Sequence, residues 1–138
     1  MQAERKFPLI LVVEDDEDNL ILISHALIFF KYTFITANNA QTALELAKNH
    51  QLDLIIVDIV LRDRNGLELV HDLKHGKSTK NLPIIAVTAL ARKEDQNLLL
   101  AAGCNDYLCK PYLIDELNEK IRYNLPPQFF HPGALRVA

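Results

Sequence analysis

The chain has 138 residues, 49% of them apolar and 24% charged, and carries a formal net charge of −3 at pH 7. That length suits one domain able to bury its own core without a disulfide or metal staple. The weak acidity argues against direct nucleic-acid binding, no apolar run reaches bilayer-spanning length, and the start MQAERKFP lacks the features of a signal peptide.

Residues 9–13, LILVV, form an unbroken apolar run, as a parallel strand covered on both faces requires. The run leads straight into five consecutive acids, Glu14 to Asp18. A helix is expected next, with Leu20, Ile23, Leu27 and Phe30 on one apolar stripe. Ile21, Leu22, Ile28 and Phe29 fall on other faces, although a surface helix normally needs only one. The surplus reads either as deep packing against neighbouring helices or as a docking face for a partner helix.

Residues 33–37 (TFITA) suit a flanking strand. Asn39 can cap a helix carrying Ala40, Ala43, Leu44 and Ala47 on one face. Residues 54–57 form a second buried strand. A helix over 66–75 carries Leu67, Val70 and Leu73 and stops at Gly76. His71 and His75 stand four apart on it, a spacing that can bind metal. No third ligand accompanies them, so these two, with His25, His50 and His131, are expected to be satisfied or solvent-facing. Residues 83–87 (PIIAV) form a third buried strand. A helix over 93–102 ends at Gly103, and 107–109 form a short flanking strand. The last helix, 113–125, aligns Ile114, Leu117, Ile121 and Leu125, and Pro126-Pro127 forbids its continuation. The tail either trails as a linker or packs back through Phe129 and Phe130. Cys104 and Cys109 lack C-x-x-C spacing and read as reduced thiols of a cytoplasmic protein.

Strand and helix alternate five times, which predicts a parallel sheet with helices on both faces and right-handed crossovers. Ligands of such sheets bind outside the carboxyl ends of the strands. Glu14 and Asp15 follow the first strand, Asp58 the third, Thr88 the fourth and Lys110-Pro111 the fifth. Two like charges about 4 Å apart repel by about 4 kcal/mol at an effective dielectric near 20, so three convergent carboxylates call for a cation. An oxygen-only ligand set selects a hard ion such as Mg²⁺. With Lys110 opposite, the crevice is prepared for a phosphoryl group. A carboxylate can attack phosphorus, and Thr88 can donate a hydrogen bond to a phosphoryl oxygen. Asp16, Glu17 and Asp18 suit the start of a helix, where the macrodipole favours negative charge.

In this order, Glu14-Asp15, Asp58 after IIV, Thr88-Ala89 after PIIAV and Lys110-Pro111 after DYLC, with the turn RDRNG, resemble the receiver domain of two-component response regulators. The likeness covers about residues 8 to 125. It implies an α/β, flavodoxin-like (βα)5 fold with a five-stranded parallel sheet of order 2-1-3-4-5. It implies that Asp58 accepts a phosphoryl group from a sensor histidine kinase or a histidine phosphotransfer protein. Asp15 and Asp58 would ligate Mg²⁺ together with the backbone carbonyl of Val60, while Glu14 holds a metal water. Lys110 would pair with Asp58 and then with the phosphoryl group. Thr88 and Tyr107 would form a switch that alters contacts with a downstream protein through the fourth helix, fifth strand and fifth helix.

On this reading residues 1–125 are the receiver and 126–138 a tail. The module signals rather than turns over substrate, stands alone or belongs to a larger protein, and has homodimerisation open to it. Arg62 stands where many members carry Pro, which puts loop stiffness in question. Glu14 replaces the commoner Asp. Val60 and Leu90 occupy positions that tune hydrolysis of the acyl phosphate, and both are apolar, so self-dephosphorylation is expected to be slow. The alternative is a small phosphohydrolase of the haloacid dehalogenase type, whose nucleophile lies in a D-x-D after the first strand; Asp16-Glu17-Asp18 matches that superficially. A flavodoxin-like cofactor binder would need a Gly, Ser or Thr phosphate loop where the five acids stand.

Overall fold

In the computed structural model, which describes residues 7–89 and 92–130, every residue of β3 (Leu54–Asp58) and β4 (Ile84–Thr88) is buried. That burial explains why both read as apolar runs without alternation. They lie at the centre of one parallel sheet of order β2-β1-β3-β4-β5, flanked by β1 (Leu9–Val13), β2 (Thr33–Ala37) and β5 (Asp106–Cys109). The helices α1 (Glu17–Phe29), α2 (Ala40–Asn49), α3 (Gly66–His75), α4 (Lys93–Ala102) and α5 (Ile114–Asn124) alternate with the strands.

The sheet divides the core in two. Ile10, Val12, Ile56 and Val87 meet Ile23, Ala26 and Leu27 of α1 and Leu117 and Ile121 of α5. Leu11, Val13, Ile55, Val57 and Ala86 meet Ala40, Ala43 and Ala47 of α2, Leu69, Val70 and Leu73 of α3, and Leu99 of α4. Period-two alternation along each strand sends successive side chains to opposite layers. Each fully buried Ile or Leu contributes roughly 1.5–3 kcal/mol of transfer free energy. The small alanines of α2 let that helix lie close to the sheet.

Three of the five helix starts are capped by side chains. Asp16 accepts the N–H of Asn19, Asn39 that of Thr42 and Asn65 that of Leu67. Gly103 ends α4 at φ 111°, a left-handed conformation that costs glycine least. Gly66 is required for a different reason: a Cβ there would sit 2.6 Å from Cα of Ile59.

Several expectations are corrected. β3 and β4 each run one residue further than the apolar pattern, so Asp58 and Thr88 are the last residues of their strands. β5 starts one residue earlier, at Asp106. Ile114 does not join the buried stripe of α5 and is exposed. In α1, Ile21, Leu22, Ile28 and Phe29 are 53–68% exposed, so deep packing does not account for them. The tail packs back as a short 3-10 turn, Pro127–Phe130, with Phe129 buried. Leu90, His131 and the rest of the tail lie outside the described residues. Cys104 is buried, Cys109 half-buried, and neither is bridged. No helix among the described residues is long and apolar enough to cross a membrane.

Candidate phosphoryl-acceptor site

The strand register lines up the site. Val13 pairs with Val57, Asp58 with Val87 and Thr88 with Cys109. Glu14, Asp58, Thr88 and Lys110 therefore follow one another along the carboxyl rim. β2 supplies no site side chain, but its Ala37 carbonyl accepts the N–H of Glu14 at 3.0 Å and fixes that residue at the rim.

One carboxylate oxygen from each of Glu14, Asp15 and Asp58 lies within 4.8 Å of the others. Glu14 and Asp58 are buried and Asp15 is half-buried. Nζ of Lys110 donates to Oδ2 of Asp58 at 3.1 Å and to Oε1 of Glu14 at 3.3 Å. The Val60 N–H donates to Oδ1 of Asp58 at 2.9 Å, and the Arg62 N–H to Oδ2 of Asp15 at 2.6 Å. One ammonium against three acids leaves an excess of negative charge. Glu14 registers it: burial first, then its hydrogen bond with Asp58 and the charge of Asp58, push its pKa up to about 7. Burial works against the charge on Lys110, but Asp58 and Glu14 outweigh it and hold that pKa above the ordinary lysine value.

The donor set fits a hard divalent cation. It offers oxygens only, they converge, and burial together with the neighbouring Asp58 raises the pKa of Glu14, a cost that a bound cation would relieve. The surrounding cleft encloses about 350 Å³ and is lined by Asp15, Asp58, Val60, Arg62, Ala89 and Lys110, among others. Beside it a second, largely apolar cleft of about 400 Å³ runs between α1 and the start of α5. Glu14, Asp58 and Lys110 form part of its wall, with Leu22, Ile23, Ala26, Tyr112 and Ile114.

The loop after Asp58 is held at successive points despite Arg62 in place of Pro. Arg62 is tied to Asp15. Asp63 accepts the N–H groups of Ala40 and Gln41 at the start of α2. Arg64 is ion-paired with Asp72 on α3, and the N–H of Gly66 closes back onto the carbonyl of Ile59 at 2.9 Å. Asp63 and Arg64 were not singled out from the sequence. Their partners lie 23 and 8 residues away, beyond any local pattern.

Thr88 is buried, and its carbonyl accepts the Lys110 N–H at 2.7 Å. Tyr107 is half-buried and pairs with Ala86, two residues before Thr88. Both therefore lie on the sheet face that carries α4, with Lys120 Nζ 5.7 Å from the Tyr107 ring centre. The D-x-D reading does not hold: the carboxylate of Asp16 caps α1 and Asp18 is exposed, so neither joins the cluster.

The chain belongs to the response regulator receiver domain family, whose model matches residues 10–122. It is a receiver domain of two-component signalling, and the phosphohydrolase alternative finds no support. It is 36% identical over 113 residues to the polar-differentiation response regulator DivK of Brucella anthropi, covering 82% of this chain and 92% of DivK. The receiver domain of the sensor histidine kinase PA1611 of Pseudomonas aeruginosa, solved with a magnesium ion coordinated in its active site cleft, superposes with a TM-score of 0.79. That pair shares 30% identity over 86% of this chain and 97% of the other. A chain from the co-crystal structure of the Saccharomyces cerevisiae histidine phosphotransfer signaling protein Ypd1 with the receiver domain of its downstream response regulator Ssk1 gives the same score and identity, over 88% of this chain and 92% of the other.

Proposed function

We propose that this receiver takes a phosphoryl group onto Asp58 from a phosphohistidine of a kinase or phosphotransfer protein, and that Mg²⁺ is required. The observation that carries the reading is the convergence of Glu14, Asp15 and Asp58 with Lys110 3.1 Å from Asp58. Asp15, Asp58 and the backbone carbonyl of Val60 would hold the ion, with Glu14 on a metal water. The bound ion supplies charge neutralisation for the incoming phosphoryl oxygens. A carboxylate oxygen of Asp58 forms the new bond to phosphorus as the bond to the donor imidazole breaks. Lys110, already against Asp58, then pairs with the phosphoryl group. Thr88 donates to a phosphoryl oxygen, and Tyr107 on the same sheet face follows it. That shift alters the surface of α4, β5 and α5 presented to a downstream protein. Hydrolysis of the acyl phosphate without a partner is slow.

The phosphodonor docks on α1. Its exposed Leu22 lies beside the apolar cleft that reaches Asp58, and the burial pattern leaves Ile21, Ile28 and Phe29 uncovered. The receiver in the yeast co-crystal, seated with a histidine phosphotransfer protein, supports a partner of this class. The receiver unit spans residues 1–125, with the segment from 126 folding back as far as Phe129, and it acts in the cytoplasm.

Incubation with Mg²⁺ and acetyl phosphate tests the proposal. The intact mass is expected to rise by one phosphoryl group, with no rise in Asp58→Ala or with EDTA. Equal uptake by Asp58→Ala overturns it.

A further inference from the structure

β5 is an edge strand, paired with β4 alone. Tyr107 packs against the core layer of α2, α3 and α4, whereas Leu117 and Ile121 seat α5 on the opposite face of the sheet. Lys120 of α5 nevertheless reaches around the open edge, and its ammonium lies 5.7 Å from the centre of the Tyr107 ring. That is within the roughly 6 Å reach of a cation–π contact.

The ammonium is braced in place. Oδ1 of Asp106 accepts both Nζ of Lys120 and the backbone N–H of Tyr107, each at 2.9 Å. Oδ2 of Asp106 accepts Nδ2 of Asn124 at 3.0 Å, and the same amide donates to the Lys120 carbonyl at 2.8 Å. One carboxylate thus fixes the cation and the tyrosine backbone together. The Asp106 side chain is 15% exposed and that of Lys120 37%, so the pair is more sheltered than an ordinary surface ion pair.

A Tyr107 ring that turns toward Thr88 moves across its own face toward β4, away from the edge where Lys120 sits. The contact is made in one ring position and lost in the other, which is what a bias between two conformations requires. We propose that Lys120, braced by Asp106 and Asn124, is a positioning residue that holds the Tyr107 ring at the sheet edge and so favours the unphosphorylated conformation. This role rests on the movement of Tyr107 proposed above. A cation–π contact shifts the ratio of two ring positions by about two- to fivefold. Linkage passes up to the same factor to whatever occupies the phosphoryl position.

The test uses the full chain with isotope-labelled tyrosine rings, titrated with beryllofluoride in Mg²⁺ as a phosphoryl mimic. The Tyr107 signal is identified by its loss in Tyr107→Leu. Lys120→Met keeps the side-chain length and removes the charge. It is expected to move the Tyr107 signal of the mimic-free protein part of the way toward its beryllofluoride position, and to tighten beryllofluoride binding about two- to fivefold. Lys120→Arg, which keeps a cation, is expected to restore the wild-type values. In a Tyr107→Leu background, Lys120→Met is expected to leave the affinity unchanged, because no ring remains to be held. A Tyr107 signal that responds to beryllofluoride but not to Lys120→Met overturns the role of Lys120 and leaves the switch standing. The same gain in affinity with Leu in place of Tyr107 also overturns it. A wild-type Tyr107 signal that ignores beryllofluoride overturns the switch, and the role of Lys120 with it.

Discussion

The carboxylate of Asp63 lies across the start of α2, its two oxygens 3.0 and 3.1 Å from the backbone nitrogen of Ala40. Through this contact a residue of the acceptor loop caps a helix more than twenty positions earlier. Asp63→Ala is expected to cost about 1 kcal/mol of stability, the usual worth of such a cap. It is also expected to weaken Mg²⁺ binding several-fold by loosening the backbone around Val60. Asp63→Asn keeps an acceptor oxygen and should recover most of both. Urea unfolding and Mg²⁺ titration of the three proteins check this.

Glu14 makes metal-free stability depend on pH. Its pKa rises from 4.5 to about 7 on folding, so between those values the native state binds more protons than the unfolded chain. Stability contributed by this group is therefore full below about pH 4.5 and falls as pH rises through 7, by an amount on the order of 3 kcal/mol. Urea midpoints in EDTA at acid and neutral pH, compared between wild type and Glu14→Gln, isolate the effect. Magnesium binding should tighten over the same pH window, because it requires the ionised carboxylate.

Charge on α1 separates docking from chemistry. Leu22→Glu and Phe29→Glu alter exposed positions and should change stability by no more than about 0.5 kcal/mol. Transfer from a phosphorylated histidine phosphotransfer protein is expected to slow by about tenfold or more, as charge replaces the apolar anchors of an interface. Uptake from acetyl phosphate, which needs no docking face, should be unchanged. Rapid-quench kinetics with the two donors distinguishes the effects.

Val60 is 69% exposed beside the acceptor and has no group to position a water. Val60→Gln introduces an amide that can hold one, and should shorten the lifetime of the phosphorylated protein by roughly three- to tenfold toward general-base-assisted hydrolysis. Loss of label from the purified phosphoprotein in Mg²⁺ measures it.

The strands were legible because burial on both faces leaves runs such as LIIV and PIIAV with no polar interruption. The same criterion stopped one residue early at Asp58 and Thr88. Backbone pairing continues through a polar side chain, and Asp58 pairs with Val87 just as its apolar predecessors do. The convergence of Glu14, Asp58, Thr88 and Lys110 was legible because each sits at or just after a strand end, and the parallel register turns strand ends into neighbours. The hold of Asp63 and Arg64 on the loop could not be read, since it depends on where α2 and α3 come to rest. For α1, periodicity showed surplus apolar residues. Only the seating of α1 on the sheet beside α5 decides which are covered, and it leaves Leu22 and Ile114 lining a common cleft.

Because the four strand ends that build the cleft come from residues 14 to 110, no contiguous fragment shorter than most of the chain contains it. Crossovers through α3 and α4 must be complete before Lys110 meets Asp58, and those through α1 and α2 before Glu14 joins them. Competence to become phosphorylated is thus a property of the finished tertiary structure, and partly folded molecules remain mute in the relay.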